Sequence, residues 1–353
     1  MPSQLTRYFF AQSGSEVVDN AIKLARAATG KQNIIAFDGA YHGRTYGAMS
    51  LTTSKTIYRQ KFGPLPSGVI TAAYPYCLHC PTRLASGGLD HGLCETPPVG
   101  PPYLSRACCN TALNDLRMAF KTATHPDETA AIILEPILGE GGFLVPPPGF
   151  LTSLRQICDE HNVLLIFDEV QAGMARTGTW WSHQQLHGTD EQVVQPDIMI
   201  FAKGIASGYP FAGLAAREGL FERLDPGTMG GTYGGSALGC AAAVATIDVI
   251  MEENLMNNAV ERGRQLTQGL TALGATAPIA EVRGRGLMMA AELSSDVPYG
   301  TAAKVVKAAG ERGVLLLTCG ARETLRFLPP LVVSEEEVDE ALHALKEALQ
   351  EVI

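Results

Sequence analysis

The sequence predicts an α/β protein with a mostly parallel central sheet and a smaller α+β region at its C-terminal end. Short apolar runs alternate with amphipathic stretches through the first two-thirds of the chain, a pattern typical of a parallel sheet covered by helices. From about residue 250 the pattern changes to long helices separated by short strand-like runs. We therefore predict a large domain at 1–249 and a small domain at 250–353.

The strand-like runs of the large domain are NIIAF, AAIILEPI, VLLIFDEV and PDIMIFAK. Residues 163–167 are apolar on both faces, which suits an interior strand. The preceding stretch, 150–161, has apolar residues at helical spacing and is predicted to be a covering helix. In the small domain, GLMMAAEL, VLLLT and TLRFLPPL are strand-like, and Ser334 with Glu337 forms a capping box that predicts a final helix.

Composition favours a small-molecule site. The 353 residues carry 27 basic and 36 acidic side chains, a net charge of −9, which argues against nucleic acid or an anionic membrane as the main partner. No apolar run reaches the roughly 20 residues that span a bilayer. We expect a cytoplasmic protein, with a mitochondrial location as the alternative if a preceding segment carries a transit peptide.

The eight cysteines fall into two groups. Cys158, Cys240 and Cys319 lie in apolar segments, as reduced core residues do. The others form a Pro/Gly-rich cluster that begins with the motif CLHCP and has a spacing compatible with zinc. A single CxxC without a matching second pair is weak evidence, so an ordinary loop and no metal are favoured. The cluster comprises Cys77, His79, Cys80, His91, Cys94, Cys108 and Cys109.

A candidate anion site follows the first strand. The sequence FFAQSGSEVVDNAIKLARAA predicts a strand, a tight turn at 13–15, and an amphipathic helix. Backbone N–H groups of the first helical turn and the Ser15 hydroxyl are suited to hold a phosphate. The alternative is a simple capped helix, whose Glu16 and Asp19 favour the same helix dipole.

Asp168 and Lys203 are the strongest candidates for cofactor chemistry. Asp168 ends one buried strand, and Lys203 follows another 35 residues later, a separation that fits one crossover unit of a parallel sheet. A carboxylate there can keep a pyridine nitrogen protonated, and a lysine with a lowered pKa can form an imine. Either residue alone is more often structural; together they favour cofactor chemistry.

Five further side chains follow predicted strands or lie within them. Tyr41 and His42 can place a ring over a flat heterocycle, or they can belong to a polar loop. Glu135 and Glu140 sit in a glycine-rich stretch, where each acid is expected to face a cation or a ligand because an unpaired buried acid is costly. Arg326, in an apolar strand, can grip a carboxylate in two places or form a structural salt bridge.

Seven motifs together resemble those of the class III pyridoxal-phosphate-dependent aminotransferases, the ornithine and 4-aminobutyrate type. They occur in the family's order and span almost the whole chain: SGSE, GAYHGRT, EPILGEGG, FDEVQAGMARTG, FAKGIASGYP, GGTYGG and LRFLPPL. The resemblance implies the fold type I, aspartate aminotransferase-like architecture and pyridoxal 5'-phosphate (PLP) as the cofactor.

The resemblance also implies roles for individual cofactor-binding residues. Lys203 would carry PLP as an imine, Asp168 would pair with the pyridinium nitrogen, and Gly14 and Ser15 would hold the phosphate. Thr232 would reach the phosphate of a neighbouring subunit, which implies a homodimer with shared active sites. Val170 and Tyr41 would lie on the two faces of the cofactor ring, and Gln171 would lie near its phenolic oxygen. Glu135 would help orient the surroundings of Asp168 and His42.

Three residues would bind substrate by the same resemblance. Arg326 would take the α-carboxylate, Glu140 would neutralise Arg326 when the donor lacks one, and Arg44 would take a distal carboxylate. The implied reaction moves an amino group from an ω-amino acid such as 4-aminobutyrate to a keto acid such as 2-oxoglutarate. Alternatives are an ornithine- or acetylornithine-type aminotransferase, an amino acid racemase or an aminomutase.

A further alternative is an inactive, truncated subunit that only dimerises or regulates. Family members generally have a substantial segment before the strand with which this sequence begins, so N-terminal truncation is expected. Intact Lys203, Asp168 and Arg326 weigh against loss of activity.

Overall fold

The computed structural model describes residues 1–81, 110–186 and 192–353. A seven-stranded sheet forms the larger part, in the order β1-β7-β6-β5-β4-β2-β3. Strands β6, β5, β4, β2 and β3 run parallel, whereas β7 is antiparallel to both of its neighbours, β6 and β1. The strands are β1 Leu5–Ala11, β2 Asn33–Phe37, β3 Val69–Ala72, β4 Thr129–Leu134, β5 Leu164–Asp168, β6 Ile198–Phe201 and β7 Ala212–Arg217.

The smaller sheet has four antiparallel strands in the order β10-β11-β9-β8. They are β8 Ile279–Arg285, β9 Met288–Leu293, β10 Leu317–Cys319 and β11 Thr324–Phe327. The described α-helices are α1 Gly14–Thr29, α2 Tyr46–Leu51, α3 Thr111–Thr122, α4 Phe150–Glu160, α5 Ala237–Glu252, α6 Leu255–Leu273, α7 Thr301–Glu311 and α8 Glu335–Val352. None of them is long and apolar enough to cross a membrane.

Helices cover both faces of the large sheet. In β5, Leu165 and Phe167 join one apolar core with helix α4, while Leu164 and Ile166 join a second core with α1. This alternation explains why 163–167 is apolar at every position. A third core lies between the smaller sheet and helices α6, α7 and α8. The predicted α/β fold class, with a mostly parallel sheet and a smaller α+β part, is confirmed.

The apolar runs of the sequence correctly predict the parallel strands β2, β4, β5 and β6, whereas β3, β7 and β8 were not predicted. The β7 sequence AGLAAR is rich in alanine and glycine, which have low strand propensity. Its extended conformation comes from pairing with β1 on one side and β6 on the other. The predicted division into domains at 249/250 falls inside α5 and stays a prediction.

Candidate active site

The carboxyl ends of the parallel strands open onto a cavity of about 500 Å³. Asp168 is the last residue of β5, and Lys203 follows the end of the adjacent parallel strand β6. Ligands of open α/β sheets bind at this edge. The predicted site residues that line the cavity are Gly14, Ser15, Tyr41, His42, Arg44, Glu135, Glu140, Asp168, Val170, Gln171 and Lys203.

Two predicted residues lie outside that lining. Arg326 contributes from β11 of the smaller sheet, where it contacts Glu140. Thr232 is exposed on the surface in the segment before α5. The cavity therefore gathers residues that are up to 199 positions apart, from Gln12 to Phe211, and Arg326 extends the site into the smaller sheet.

Asp168 and His42 form a buried pair at the floor of the cavity. His42 Nδ1 lies 2.8 Å from Asp168 Oδ2, and the other Asp168 oxygen accepts from the Val170 backbone N–H at 3.0 Å. Burial opposes protonation of the His42 ring, but the hydrogen bond and charge of Asp168 outweigh it, so the net pKa of His42 is raised. The contacts with the His42 ring and the Val170 backbone thus fix the orientation of the Asp168 carboxyl group.

Glu135 lines the cavity, and its carboxylate has two backbone partners. Its two carboxylate oxygens accept from the N–H groups of Tyr41 at 2.8 Å and Gly139 at 2.9 Å. Burial raises the pKa of Glu135, the positive influence of His42 lowers it, and the negative charge of Asp168 raises it further. Backbone N–H groups can satisfy a buried carboxylate, so these two bonds stabilise Glu135 at the edge of the cavity, and the expectation that it faces a cation or a ligand stays a prediction.

Glu140 has the cation that the sequence predicted. Its carboxylate forms an ion pair with Arg326, and the two side chains are 14% and 16% exposed. The Glu140 carbonyl accepts from Gly320 N–H at 2.6 Å, and Arg283 Nε donates to the Gly142 carbonyl at 2.8 Å. These contacts tie the glycine-rich loop of the large sheet to the smaller sheet.

Lys203 has a left-handed backbone, with φ of 47°, a conformation that costs a non-glycine residue on the order of 1 kcal/mol. Its side chain stands in the cleft. Although Lys203 is exposed to the open cavity, desolvation by the surrounding protein lowers the pKa of its amine, whereas Asp168 and Glu135 raise it. The local fold therefore favours a neutral, nucleophilic amine relative to a solvated lysine.

The turn before α1 combines a helix cap with a polar hydroxyl. Ser13 caps the helix by accepting from Glu16 N–H, and α1 begins at Gly14. Ser15 Oγ accepts from the Arg44 N–H at 2.7 Å, which leaves the hydroxyl proton available to an anion. Gly43 has φ of 135°, and a Cβ there would lie 1.8 Å from Ser15 Oγ, so this approach requires glycine.

Gln171 provides evidence that a polar ligand belongs in the cavity. Its buried Oε1 has no hydrogen-bond partner among the residues that the structure describes. A Cβ on Gly139 would lie 2.0 Å from this oxygen, so the position of the Gln171 amide requires glycine at residue 139. A buried polar atom without a partner is costly, and a polar aromatic cofactor beside Gln171 would remove that cost.

The CLHCP segment has a structural partner. His79 and Tyr76 both contact the Glu292 carboxylate, which also binds Arg283 Nη1 at 2.7 Å. Within residues 1–81, 110–186 and 192–353 no cluster of three His, Cys, Asp or Glu residues is arranged to hold a metal. The other members of the predicted cluster, His91, Cys94, Cys108 and Cys109, lie outside the described residues.

Sequence reasoning missed two residues that organise the site. Thr52 is fully buried, and its Oγ1 accepts from the N–H groups of His42 at 3.0 Å and Gly43 at 3.2 Å. Glu169, next to Asp168, accepts from both the backbone and the side chain of Ser182 and of His183. The adjacent acids in the FDEV motif were the available signal for Glu169; Thr52 had none.

The large sheet, the cleft at its carboxyl edge and a lysine facing a buried aspartate define a PLP-dependent transferase of the α/β class. The profile of the family "Aminotransferase class-III" matches residues 1–349. The chain belongs to this family, which confirms the resemblance identified from the sequence, and PLP is its cofactor.

Two curated relatives and one solved structure illustrate the relationship. 4-Aminobutyrate aminotransferase GabT of Escherichia coli strain K12 is 37% identical over 346 residues, covering 96% of this chain and 74% of the relative. Acetylornithine aminotransferase of Methanosarcina mazei is 40% identical over 341 residues, covering 96% and 72%. An amine transaminase from an uncultivated Pseudomonas species, solved in the PLP-bound (internal aldimine) form, matches with a TM-score of 0.84 at 27% identity, covering 99% and 78%.

Proposed function

We propose that this aminotransferase moves an amino group from an ω-amino acid of the 4-aminobutyrate type to a keto acid such as 2-oxoglutarate. The observation that carries the proposal is the ion pair between Glu140 and Arg326 beside the cavity that holds Lys203. An arginine that must accept an α-carboxylate in one half-reaction needs another anion when the amine donor has none. The similarity to GabT of E. coli supports the same substrate class.

The cavity residues fit PLP. Gly14 and Ser15 would hold the phosphate, Val170 and Tyr41 would flank the ring, and Gln171 would supply a polar contact to its phenolic oxygen. Bound PLP supplies an electron sink for negative charge on the carbon next to the transferred nitrogen. Asp168, fixed by His42, would keep the pyridine nitrogen protonated, and Glu135 would hold the Tyr41 turn in place through its backbone bond.

Lys203 would bond the cofactor through Nζ and, once displaced by the donor amine, would act as the base. Its lowered pKa favours the neutral amine that both roles need. In the first half-reaction, Nζ takes a proton from the nitrogen-bearing carbon of the donor. In the second, with the keto acid, it returns a proton to the corresponding carbon of the acceptor.

Arg44 and Arg326 would bind the carboxylates of the substrates. Arg44 lines the cavity and would hold the distal carboxylate that donor and acceptor share. Glu140 would neutralise Arg326 while the donor is bound and would move away when an α-carboxylate arrives. One pocket would thereby serve two substrates of different charge.

We also propose a homodimer in which Thr232 reaches the phosphate site of the partner subunit. Thr232 is exposed and outside the lining of its own cavity. Helix α5, which follows it, carries exposed apolar side chains at Leu238, Val244 and Met251, with exposures of 69%, 58% and 55%. An apolar helix face beside an exposed candidate phosphate ligand is suited to a subunit interface. The division into a large domain, 1–249, and a small domain, 250–353, belongs to the same proposal, as does the cytoplasmic location.

The second candidate is an acetylornithine-type reaction, which the similarity to the M. mazei enzyme favours. Purified protein loaded with PLP would be mixed with 4-aminobutyrate, N-acetylornithine or ornithine, and the decay of the cofactor absorbance would be followed. The proposal predicts the fastest decay with 4-aminobutyrate and formation of glutamate on addition of 2-oxoglutarate. Faster decay with N-acetylornithine would favour the second candidate.

A further inference from the structure

Glu140 has a second contact besides Arg326. Its Oε2 accepts from the Tyr58 hydroxyl at 3.4 Å, while its other oxygen faces Arg326. A hydrogen bond of this length is weak, since an O–H group bonds a carboxylate best at about 2.5–2.7 Å. Glu140 thus lies between a strong partner and a weak one.

Tyr58 also contacts the other candidate substrate arginine. The Arg44 guanidinium carbon lies 4.9 Å from the centre of the Tyr58 ring, within the range of a cation–π interaction. The rings of Tyr41 and Tyr58 form a T-shaped contact, with centroids 5.1 Å apart. One half-buried tyrosine therefore connects the residue for the distal carboxylate with the acid that covers Arg326.

The backbone holds Tyr58 in this place. It ends a short 3-10 turn, Thr56–Tyr58. Just before that turn, the N–H groups of Thr53 and Ser54 donate to the Ala40 carbonyl at 2.8 and 3.1 Å. Tyr58 is consequently tied to the turn that presents Tyr41.

Displacing Glu140 from Arg326 creates an electrostatic problem. The Glu140 side chain is only 14% exposed, and a largely buried carboxylate that loses its partner is strongly destabilised. Among the described residues, the hydroxyl of Tyr58 is a neutral donor already on the Glu140 side of the pair. A small movement of the carboxylate away from Arg326 would shorten this bond to an ordinary length.

We propose that Tyr58 is a specificity-determining positioning residue that receives Glu140 when an α-carboxylate occupies Arg326. This inference rests on the proposed exchange of Glu140 for a substrate carboxylate. Tyr58 stabilises the arrangement with dicarboxylates bound and contributes little when Glu140 covers Arg326. The Tyr58 hydroxyl therefore favours ligands that carry an α-carboxylate, whereas Glu140 favours donors that lack one.

The test uses the PLP-loaded enzyme and the variant Tyr58→Phe, which keeps the ring under Arg44 and removes the hydroxyl. Glutarate, an unreactive five-carbon dicarboxylate, and butyrate, a monocarboxylate, are titrated by calorimetry. We expect Tyr58→Phe to weaken glutarate binding about tenfold, the scale of a hydrogen bond to a charged group, and butyrate binding by less than about twofold. The glutamate half-reaction should slow by a similar factor, with the 4-aminobutyrate half-reaction nearly unchanged.

Two variants serve as controls. Tyr46→Phe removes a hydroxyl that donates to the Phe62 carbonyl at 2.9 Å and should leave both ligands unaffected. Tyr58→Leu also removes the ring from beneath Arg44 and should weaken glutarate and butyrate together. Weaker butyrate binding in Tyr58→Leu but not in Tyr58→Phe would show the contribution of the ring to Arg44, apart from the contact of the hydroxyl with Glu140.

Unchanged glutarate binding in Tyr58→Phe, or equal losses for glutarate and butyrate, would overturn the role of Tyr58. A wild-type enzyme that binds glutarate no better than butyrate would overturn it as well. Failure of 4-aminobutyrate as a donor would instead refute the proposed reaction. The glutarate titration would still decide the role of Tyr58 in that case, because it requires no turnover.

Discussion

The two sides of the cavity are built differently. The side proposed to carry the reaction (the reacting side), with Asp168, His42 and Lys203, lies near the ends of strands of one sheet, and its acid and imidazole are 4% and 2% exposed. The side proposed to bind the substrate (the substrate side), with Glu140 and Arg326, joins a glycine-rich loop to a strand of a second sheet. Rigid strand ends suit the chemistry that is common to every substrate. A loop and a second sheet can move relative to each other when substrates differ in their carboxylates.

This difference predicts two classes of variant. Changes on the reacting side should impair both half-reactions alike, because each uses the same proton transfers. Changes on the substrate side should separate the donor from the acceptor, because the two differ in carboxylates. Four substitutions distinguish these two classes.

Lys203→Ala should have the largest effect. Removing Nζ eliminates both the attachment point of the cofactor and the base, so turnover with either substrate should fall below detection. Mass spectrometry after borohydride reduction should find a cofactor adduct on Lys203 in the wild type and none in the variant. Lys307→Ala, at a side chain that is 81% exposed, is the control. A reducible adduct that persists in Lys203→Ala would refute the assignment.

Asp168→Asn should slow both half-reactions by about 100- to 5000-fold, equivalent to about 3 to 5 kcal/mol for breaking a buried charged pair. The pyridine nitrogen loses the anion that stabilises its proton. The His42 pKa, which Asp168 raises against the effect of burial, should fall, so that the ring titrates at lower pH in an NMR experiment. Near-normal turnover would make Asp168 structural.

Glu140→Ala should divide the two substrates. With 4-aminobutyrate bound, Arg326 would be left without an anion, at a cost of about 2 to 4 kcal/mol, or about 30- to 1000-fold in rate. Glutamate supplies its own α-carboxylate and should be affected much less. Stopped-flow decay of the cofactor absorbance with each donor measures both rates. Equal losses would remove the proposed distinction between the two sides of the cavity.

Thr52→Ala should have the smallest effect on catalysis. The His42 and Gly43 N–H groups would lose their acceptor, which should lower the free energy of unfolding by about 1 to 3 kcal/mol. Because Thr52 acts on the reacting side, any loss of rate should be the same for both substrates. Thr52→Ser keeps the hydroxyl and should retain most of the stability. The free energies of unfolding of the wild type and the two variants would be measured with denaturant. Equal losses in Thr52→Ala and Thr52→Ser would contradict this role.

The sequence alone was sufficient to predict the fold class, the family and the cofactor. Apolar runs revealed the interior strands because burial on both faces leaves no polar position, and the order of seven motifs identified the family. Asp168 and Lys203 could be predicted to lie close together because Asp168 ends one strand and Lys203 follows another, and parallel neighbours present such residues at the same edge.

The pairing of polar groups depends on how segments distant in the sequence pack together. Glu135 accepts from backbone N–H groups, and no residue pattern encodes such a partner. His79 meets Glu292 across 213 positions, and Tyr58 meets Glu140 across 82. Strand β7 likewise takes its conformation from its neighbours and not from its own alanine-rich sequence. Periodicity reports the burial of a segment against the core, whereas contacts between distant polar side chains depend on how the segments pack, which local sequence does not specify.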